Sequence, residues 1–167
     1  MRIYLIGYMG CGKSTLGRRL AKHAGLQFVD MDHFIEERNC KSVARIFDEE
    51  GESGFREKER KALEELAEFT DVVVATGGGA PCFFDNMALM NNTGITIFLN
   101  IKPHILASRL LSSKTVRPLI AGKSEPELIT FIRESLDKRI GFYEQARYQI
   151  TLPDVDPAEV MSMIQNP

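Results

Sequence analysis

The feature that most constrains this chain lies near its start. Gly7-Tyr8-Met9-Gly10-Cys11-Gly12-Lys13-Ser14 satisfies G-x-x-x-x-G-K-[ST] at every fixed position. The flanks agree with the motif: Arg2–Ile6 is a short apolar run that reads as a strand, and Lys13–Ala24 carries a helical pattern. In such a strand–loop–helix the glycines let successive backbone N–H groups turn inward as an anion-binding nest. The helix points its positive dipole end at the same place. Gly10, Cys11, Gly12, Lys13, Ser14 and Thr15 are therefore the candidate phosphate cradle, with Lys13 reaching the β- and γ-phosphates and the Ser14 hydroxyl ligating magnesium. A glycine-rich turn with an exposed lysine is the plain alternative. The context on both sides favours a nucleotide site.

Four more β-rich runs follow, at Gln27–Val29, Val72–Ala75, Ile95–Leu99 and Tyr148–Leu152. Helical patterns fall between and after them, at His33–Arg38, Ser42–Phe47, Phe55–Phe69, Asp85–Met90, Pro103–Leu111, Glu127–Phe142 and Pro157–Ile164. Pro103 and Pro157 suit a first helical position, and Asp156 suits the N-cap before the last helix. Strands alternating with helices imply βαβ units. The expected fold is a three-layer α/β/α arrangement around a central five-stranded parallel sheet, of P-loop NTPase type. A chain of 167 residues with no linker, repeat or low-complexity tract reads as one domain spanning 1–167. The segment Ser112–Pro126 is long, polar and holds two prolines, and reads as a mobile lid.

Composition removes several function classes. Hydrophobic residues make up 44% and charged residues 26%, as in ordinary globular proteins. Lys+Arg is 21 against Asp+Glu 23, so no basic surplus points to nucleic acid. No apolar run reaches the roughly 18 residues of a membrane span, and the first residues lack the apolar core and cleavage site of a secretory signal. Cys11, Cys40 and Cys82 are widely spaced with no C-x-x-C, which supports neither zinc nor a disulfide framework. A cytoplasmic enzyme with no nucleic-acid or membrane partner is expected, and a monomer, since no heptad seam is present.

The P-loop does not say what accepts the phosphate. Asp30-Met31-Asp32 follows the second strand, where an extended backbone would set both carboxylates on one side. Ligands of open α/β sheets bind at that carboxyl edge, although Asp32 also reads as an N-cap for a helix starting at His33. Arg56 falls at a helix start, where a cation opposes the dipole and an anionic partner would relieve it; a charged helix face is the alternative. Thr76-Gly77-Gly78-Gly79 follows the third strand and offers either backbone N–H groups to a ligand or a flexible turn. Arg117-Pro118 presents an arginine from an extended loop, able to neutralise a transferring phosphoryl group. Arg139 and Tyr143 share one helix face, as a site pair or a surface pair.

In order along the chain, these landmarks resemble the shikimate kinase family, within the nucleoside-monophosphate-kinase-like P-loop proteins. They are G-Y-M-G-C-G-K-S-T from Gly7, D-M-D from Asp30, G-E-x-x-F-R-x-x-E from Gly51, G-G-G from Gly77, V-R-P-L from Val116 and R-x-x-x-Y from Arg139. The resemblance spans Gly7 to about Val160 and implies transfer of the ATP γ-phosphoryl group to the 3-hydroxyl of shikimate, a step towards aromatic amino acids. By the same resemblance Asp32, Arg56, Gly78, Gly79 and Arg139 hold shikimate, the two arginines on its carboxylate. Asp32 orients the hydroxyl, as an ordinary weak base accepting its proton late. Asp30 faces Mg2+ through water beside Ser14, and Glu59 positions Arg56. Lys13 and Arg117 neutralise the phosphates, Arg117 closing with the lid. Arg109 packs near the adenine, with the segment Pro153–Pro157 on its other side. Three departures stand out: Cys11 replaces a small residue, Gly141 replaces a proline, and no Walker-B aspartate follows Val72–Ala75. A related acceptor kinase such as a gluconate kinase, and a nucleotide-dependent regulatory module, are the competing readings. The paired arginines speak against the first, and the intact set Lys13, Ser14, Asp30, Asp32 and Arg117 against the second.

Overall fold

Five strands, β1 (Arg2–Ile6), β2 (Gln27–Asp30), β3 (Val72–Ala75), β4 (Ile95–Leu99) and β5 (Tyr148–Ile150), pair in parallel in the order β2-β3-β1-β4-β5. This is a computed structural model, and it describes residues 1–115 and 117–166. Between the strands run α1 (Lys13–Ala24), α2 (Met31–Asn39), α3 (Val43–Leu66), α4 (Asn86–Thr93), α5 (Pro103–Ser112) and α6 (Glu125–Tyr143), with α7 (Pro157–Gln165) last. The two central registers place Ile3 beside Val73 and Ile95, and Tyr4 beside Val74 and Thr96. Because side chains alternate, Ile3, Leu5, Val73, Ile97 and Leu99 enter one core, while Tyr4, Ile6, Val72, Val74 and Phe98 enter the other. Both cores are covered by helices, which is why these strands read as continuous apolar runs.

The first core takes Leu16 and Leu20 of α1, Leu106 of α5, Leu128 of α6 and Val160 of α7. The second takes Phe34 of α2, Leu63 of α3, Met90 of α4 and Tyr143 at the end of α6. So β1 leads to a helix on one face, and its neighbour β3 leads to a helix on the other. Between two such strands an α/β sheet opens a crevice at its carboxyl edge. The chain segments that leave this edge are the P-loop after β1, Asp30 after β2 and Thr76–Gly79 after β3. Helix α6 starts against the first core and ends in the second, carrying Arg139 and Tyr143 to the same edge.

Several boundaries differ from the sequence reading, each for a local reason. β5 stops at Ile150 rather than Leu152, and Asp85 precedes α4 instead of beginning it. Helix α6 begins at Glu125, where the Ser124 hydroxyl caps it by accepting from the Glu127 N–H. The expected helices Ser42–Phe47 and Phe55–Phe69 are the two arms of α3, which meet at a kink. The bend is at Gly51, whose φ of 70° and ψ of −175° is a conformation open in practice only to glycine. Helix α2 begins at Met31 instead of His33 because Asp30, not Asp32, is its N-cap. Asp30 Oδ1 accepts from the Asp32 and His33 N–H groups at 3.1 and 3.3 Å. Asp32 therefore lies in the first helical turn, and the extended D-M-D geometry is corrected. Asp156 caps α7 as expected, accepting from the Ala158 N–H, and Pro103 and Pro157 open their helices. Within the long segment before α6, Pro118–Ile120 forms a short 3-10 turn. Val116, the first residue of V-R-P-L, lies outside the described residues.

Candidate active site

A cleft of about 740 Å³ lies along the carboxyl edge, lined by the P-loop, Asp30, Asp32, Thr76–Gly78, Arg109, Arg117 and Leu152–Val155. The P-loop is held open by Gly10 and Gly12, with φ of 79° and 97°, a region that residues with a Cβ rarely enter. The Lys13 ammonium donates to the Gly7 and Tyr8 carbonyls at 2.8 and 3.1 Å, inside the loop's own curve. The Cys11 N–H, expected to face phosphate, donates to the Tyr8 carbonyl at 3.2 Å, and the thiol is buried beside the lysine. Ser14 donates its hydroxyl to Asp30 Oδ2 at 2.8 Å, while the other Asp30 oxygen caps α2. One carboxylate thus ties the first turn of α1 to the start of α2. Two hard oxygen ligands facing the phosphate loop fit a magnesium ion that keeps most of its ligands as water and phosphate. Among the described residues no cluster of three or more metal-binding side chains exists that would fit a softer metal.

At the far end of the cleft, Arg109 donates to the Gly10 and Pro153 carbonyls, joining the P-loop to the segment after β5. Arg117 lines the cleft from the loop before Pro118.

Next to the cleft, behind Asp32 and Gly77–Gly78 of its lining, lies a charged cluster whose members Arg56, Glu59 and Arg139 do not themselves line it. Arg56 donates from Nη1 to Glu59 Oε1 at 2.9 Å, and Glu59 is only 1% exposed. The Arg56 guanidinium also lies over the Phe83 ring at 4.1 Å and the Phe55 ring at 5.2 Å. Its Nε is buried and meets no acceptor among the described residues. A Cβ on Gly79 would stand 2.6 Å from Arg56 Nη2, so glycine there is a matter of space. On Gly77 a Cβ would meet both Asp32 Oδ1 and Glu59 Oε2 at 3.1 Å. On Gly78 it would lie 3.5 Å from Arg139 Nη1, whose guanidinium sits over the Tyr8 ring at 5.4 Å. Three consecutive glycines thus let Asp32, Glu59, Arg56 and Arg139 close around one turn.

Electrostatics follow from that crowding. Loss of hydration among the cleft walls pushes the Asp32 carboxyl above its ordinary value, and the Asp30 charge adds to it, against pulls from Lys13 and Arg56. The ordinary weak base expected from sequence is corrected: Asp32 is a stronger proton acceptor than an exposed aspartate. Burial likewise raises Glu59, with Arg56 opposing.

A family model for shikimate kinase matches residues 9–166 of the chain. The chain belongs to the shikimate kinase family. Among relatives, shikimate kinase of Phocaeicola vulgatus is 57% identical over 147 residues, covering 88% of this chain and 84% of that protein. Shikimate kinase of Bacteroides thetaiotaomicron is 49% identical over 166 residues, covering 99% and 95%. A crystal structure of shikimate kinase from Bacteroides thetaiotaomicron superposes with a TM-score of 0.91 at 47% identity, covering 99% and 96% of the two chains. Shikimate kinase from Acinetobacter baumannii in complex with shikimate gives 0.83 at 34% identity, covering 98% and 90%. In this member of the shikimate kinase family, the fold expected from the P-loop and the strand–helix alternation is the fold observed.

Three residues beside the site were not singled out by sequence reasoning. Phe83 holds the Arg56 guanidinium, and Tyr8 faces that of Arg139. Asn86 is fully buried, accepts from Arg60 at 2.9 Å and donates to the Ala80 carbonyl at 2.8 Å, bracing the turn that follows Gly79. None carries a local signal: the arginines that Phe83, Tyr8 and Asn86 meet are all distant in sequence.

Proposed function

We propose that the chain phosphorylates shikimate at its 3-hydroxyl with ATP, yielding shikimate 3-phosphate and ADP. The observation that carries this reading is the arginine pair: Arg56 and Arg139 close on consecutive glycines, with Asp32 beside them and the phosphate loop adjoining. Two planar guanidinium groups suit one carboxylate and fix the orientation of the ring that bears it. The buried Arg56 Nε without an acceptor is a donor that an anion would satisfy.

In the reaction, the 3-hydroxyl oxygen of shikimate forms a bond to the γ-phosphorus while the bond from that phosphorus to the β,γ-bridging oxygen breaks, and ADP leaves. The hydroxyl proton passes to Asp32, whose raised affinity for protons suits it to accept late in a loose transfer. Lys13 moves from the Gly7 and Tyr8 carbonyls onto the phosphates, and Arg117 covers them as the 112–126 segment closes and excludes water. Ser14 and, through water, Asp30 would hold Mg2+, which would supply charge neutralisation on the phosphates. Arg109 and Pro153 flank the adenine. The whole chain acts as one domain, a cytoplasmic monomer with no nucleic-acid or membrane partner; among the described residues no helix is long and apolar enough to cross a membrane.

The test is ADP release from Mg-ATP with shikimate, gluconate, AMP or no acceptor, with the product examined by NMR. Release with shikimate and a phosphorus-coupled proton at its 3-position are expected. Release with gluconate instead, or none above the acceptor-free rate, would overturn the proposal.

A further inference from the structure

The family landmark R-x-x-x-Y contains a tyrosine that the reaction above does not use. Tyr143 is fully buried at the end of α6, its ring 5.1 Å from that of Phe98. Its hydroxyl donates to the Gly78 carbonyl at 2.5 Å, across 65 residues of sequence. Arg139 lies one helical turn earlier on the same face and approaches the same glycine, 3.5 Å from where a Gly78 Cβ would stand. Two side chains of one helix therefore converge on one peptide unit of the glycine turn.

That peptide unit is planar and trans, so the Gly78 carbonyl and the Gly79 N–H point in opposite directions and move together. A hydroxyl fixed on the carbonyl aims the N–H to the far side. It also polarises the peptide and strengthens the N–H as a donor. Among the described residues nothing accepts from the Gly79 N–H. Without the hydroxyl, a glycine flanked by glycines has little to hold its carbonyl in one direction. We infer that Tyr143 is a positioning residue for the acceptor subsite: it holds the Gly78–Gly79 peptide and the Arg139 guanidinium in register, so that both meet the substrate together. This rests on the shikimate-kinase reading of the site. Burial pushes the phenol well above its ordinary pKa, with the Arg139 charge opposing, so the hydroxyl remains a donor throughout the working pH range.

The test is Tyr143→Phe, which keeps the ring against Phe98 and removes only the oxygen. Shikimate KM is expected to rise about tenfold, equivalent to 1.4 kcal/mol. The ATP KM should stay within about twofold, and kcat within about threefold, of wild type. In an Arg139→Lys background the same change should have less than about a third of that effect, because the two residues act as a unit. A lower Tm with both KM values unchanged would make the hydroxyl merely structural and overturn the inference. So would equal rises in both KM values, or an undiminished effect in the Arg139→Lys background. Wild-type protein run alongside separates this failure from that of the parent reading: no shikimate turnover by wild type rejects the substrate itself.

Discussion

Replacing Gly79 by alanine tests the packing of the acceptor site without disturbing the fold. Gly79 has φ of −89° and ψ of −16°, an ordinary right-handed conformation, so alanine meets no backbone strain. What it meets is Arg56. The new Cβ would stand 2.6 Å from Nη2, 2.8 Å from Nη1 and 3.0 Å from Cζ, against an ordinary contact of about 3.5 Å. The guanidinium must therefore retreat by nearly an ångström. It is not free to do so cheaply, being tied to Glu59 at 2.9 Å and packed over the Phe83 ring at 4.1 Å. A retreat of that size takes a charge-assisted bond to a bound carboxylate out of range, a loss of about 1.5–3 kcal/mol. Shikimate KM should accordingly rise about 10- to 150-fold, with the ATP KM unchanged. Stability should fall by no more than about 1–3 kcal/mol, the cost of displacing Arg56, offset in part by the about 0.4–1 kcal/mol that alanine gains by narrowing the unfolded ensemble. The assay is steady-state ADP release with shikimate varied at saturating ATP, alongside a thermal melt. A shikimate KM within about twofold of wild type in a folded variant would refute the claim that Arg56 must stand where Gly79 admits it.

Glu59→Gln should raise the shikimate KM about tenfold by weakening the hold on Arg56, leaving the ATP KM unaltered. Because burial raises the Glu59 pKa above its usual 4.5, the wild-type contribution to stability is full below that value and is lost as pH rises through the folded pKa. Melts across pH should therefore show the variant gaining on wild type as pH climbs from 4.5; a constant difference would refute this. Arg117→Ala is expected to lower kcat about 100-fold or more while shikimate affinity, read by calorimetry, changes less than threefold. Asn86→Ala removes one buried and one part-buried hydrogen bond and should cost about 2–4 kcal/mol, seen as a fall in Tm of roughly 5–15 °C.

The phosphate end of the site was legible in the sequence because its chemistry is local. Gly7 to Ser14 contains its own geometry, and the apolar run Arg2–Ile6 before it and the helix after it are contiguous in the chain. The acceptor end is assembled from four elements, and the residues alone left Asp32, Arg56, Gly78, Gly79 and Arg139 between site and surface until their joint order was considered. Glu59 did carry a signal, since Phe55, Glu59, Ala62, Leu63 and Leu66 form one buried stripe of α3 with a carboxylate inside it. The roles of Asp30 and Asp32 were not separable by spacing, because either can cap a helix. The cap went to Asp30, whose second oxygen is held by Ser14, a contact between residues sixteen apart. The kink at Gly51 was legible, since the helical patterns on its two sides are distinct, whereas how far each arm of α3 runs towards it was not. Tyr143 was visible only as the partner of Arg139 on one helix face; its bond to the Gly78 carbonyl, and that of Asn86 to the Ala80 carbonyl, were beyond reach, since nothing near a tyrosine or an asparagine reveals which carbonyl it meets.

In the proposed reaction, nucleotide and acceptor are bound by separate groups along one sheet edge. The most direct measurement is calorimetric binding of shikimate and of ATP, each to wild type and to Arg139→Ala. Shikimate binding should be lost or greatly weakened in the variant while ATP binding stays nearly intact. Comparable loss of both ligands, or retention of shikimate affinity, would contradict the assignment of the arginine pair to the acceptor.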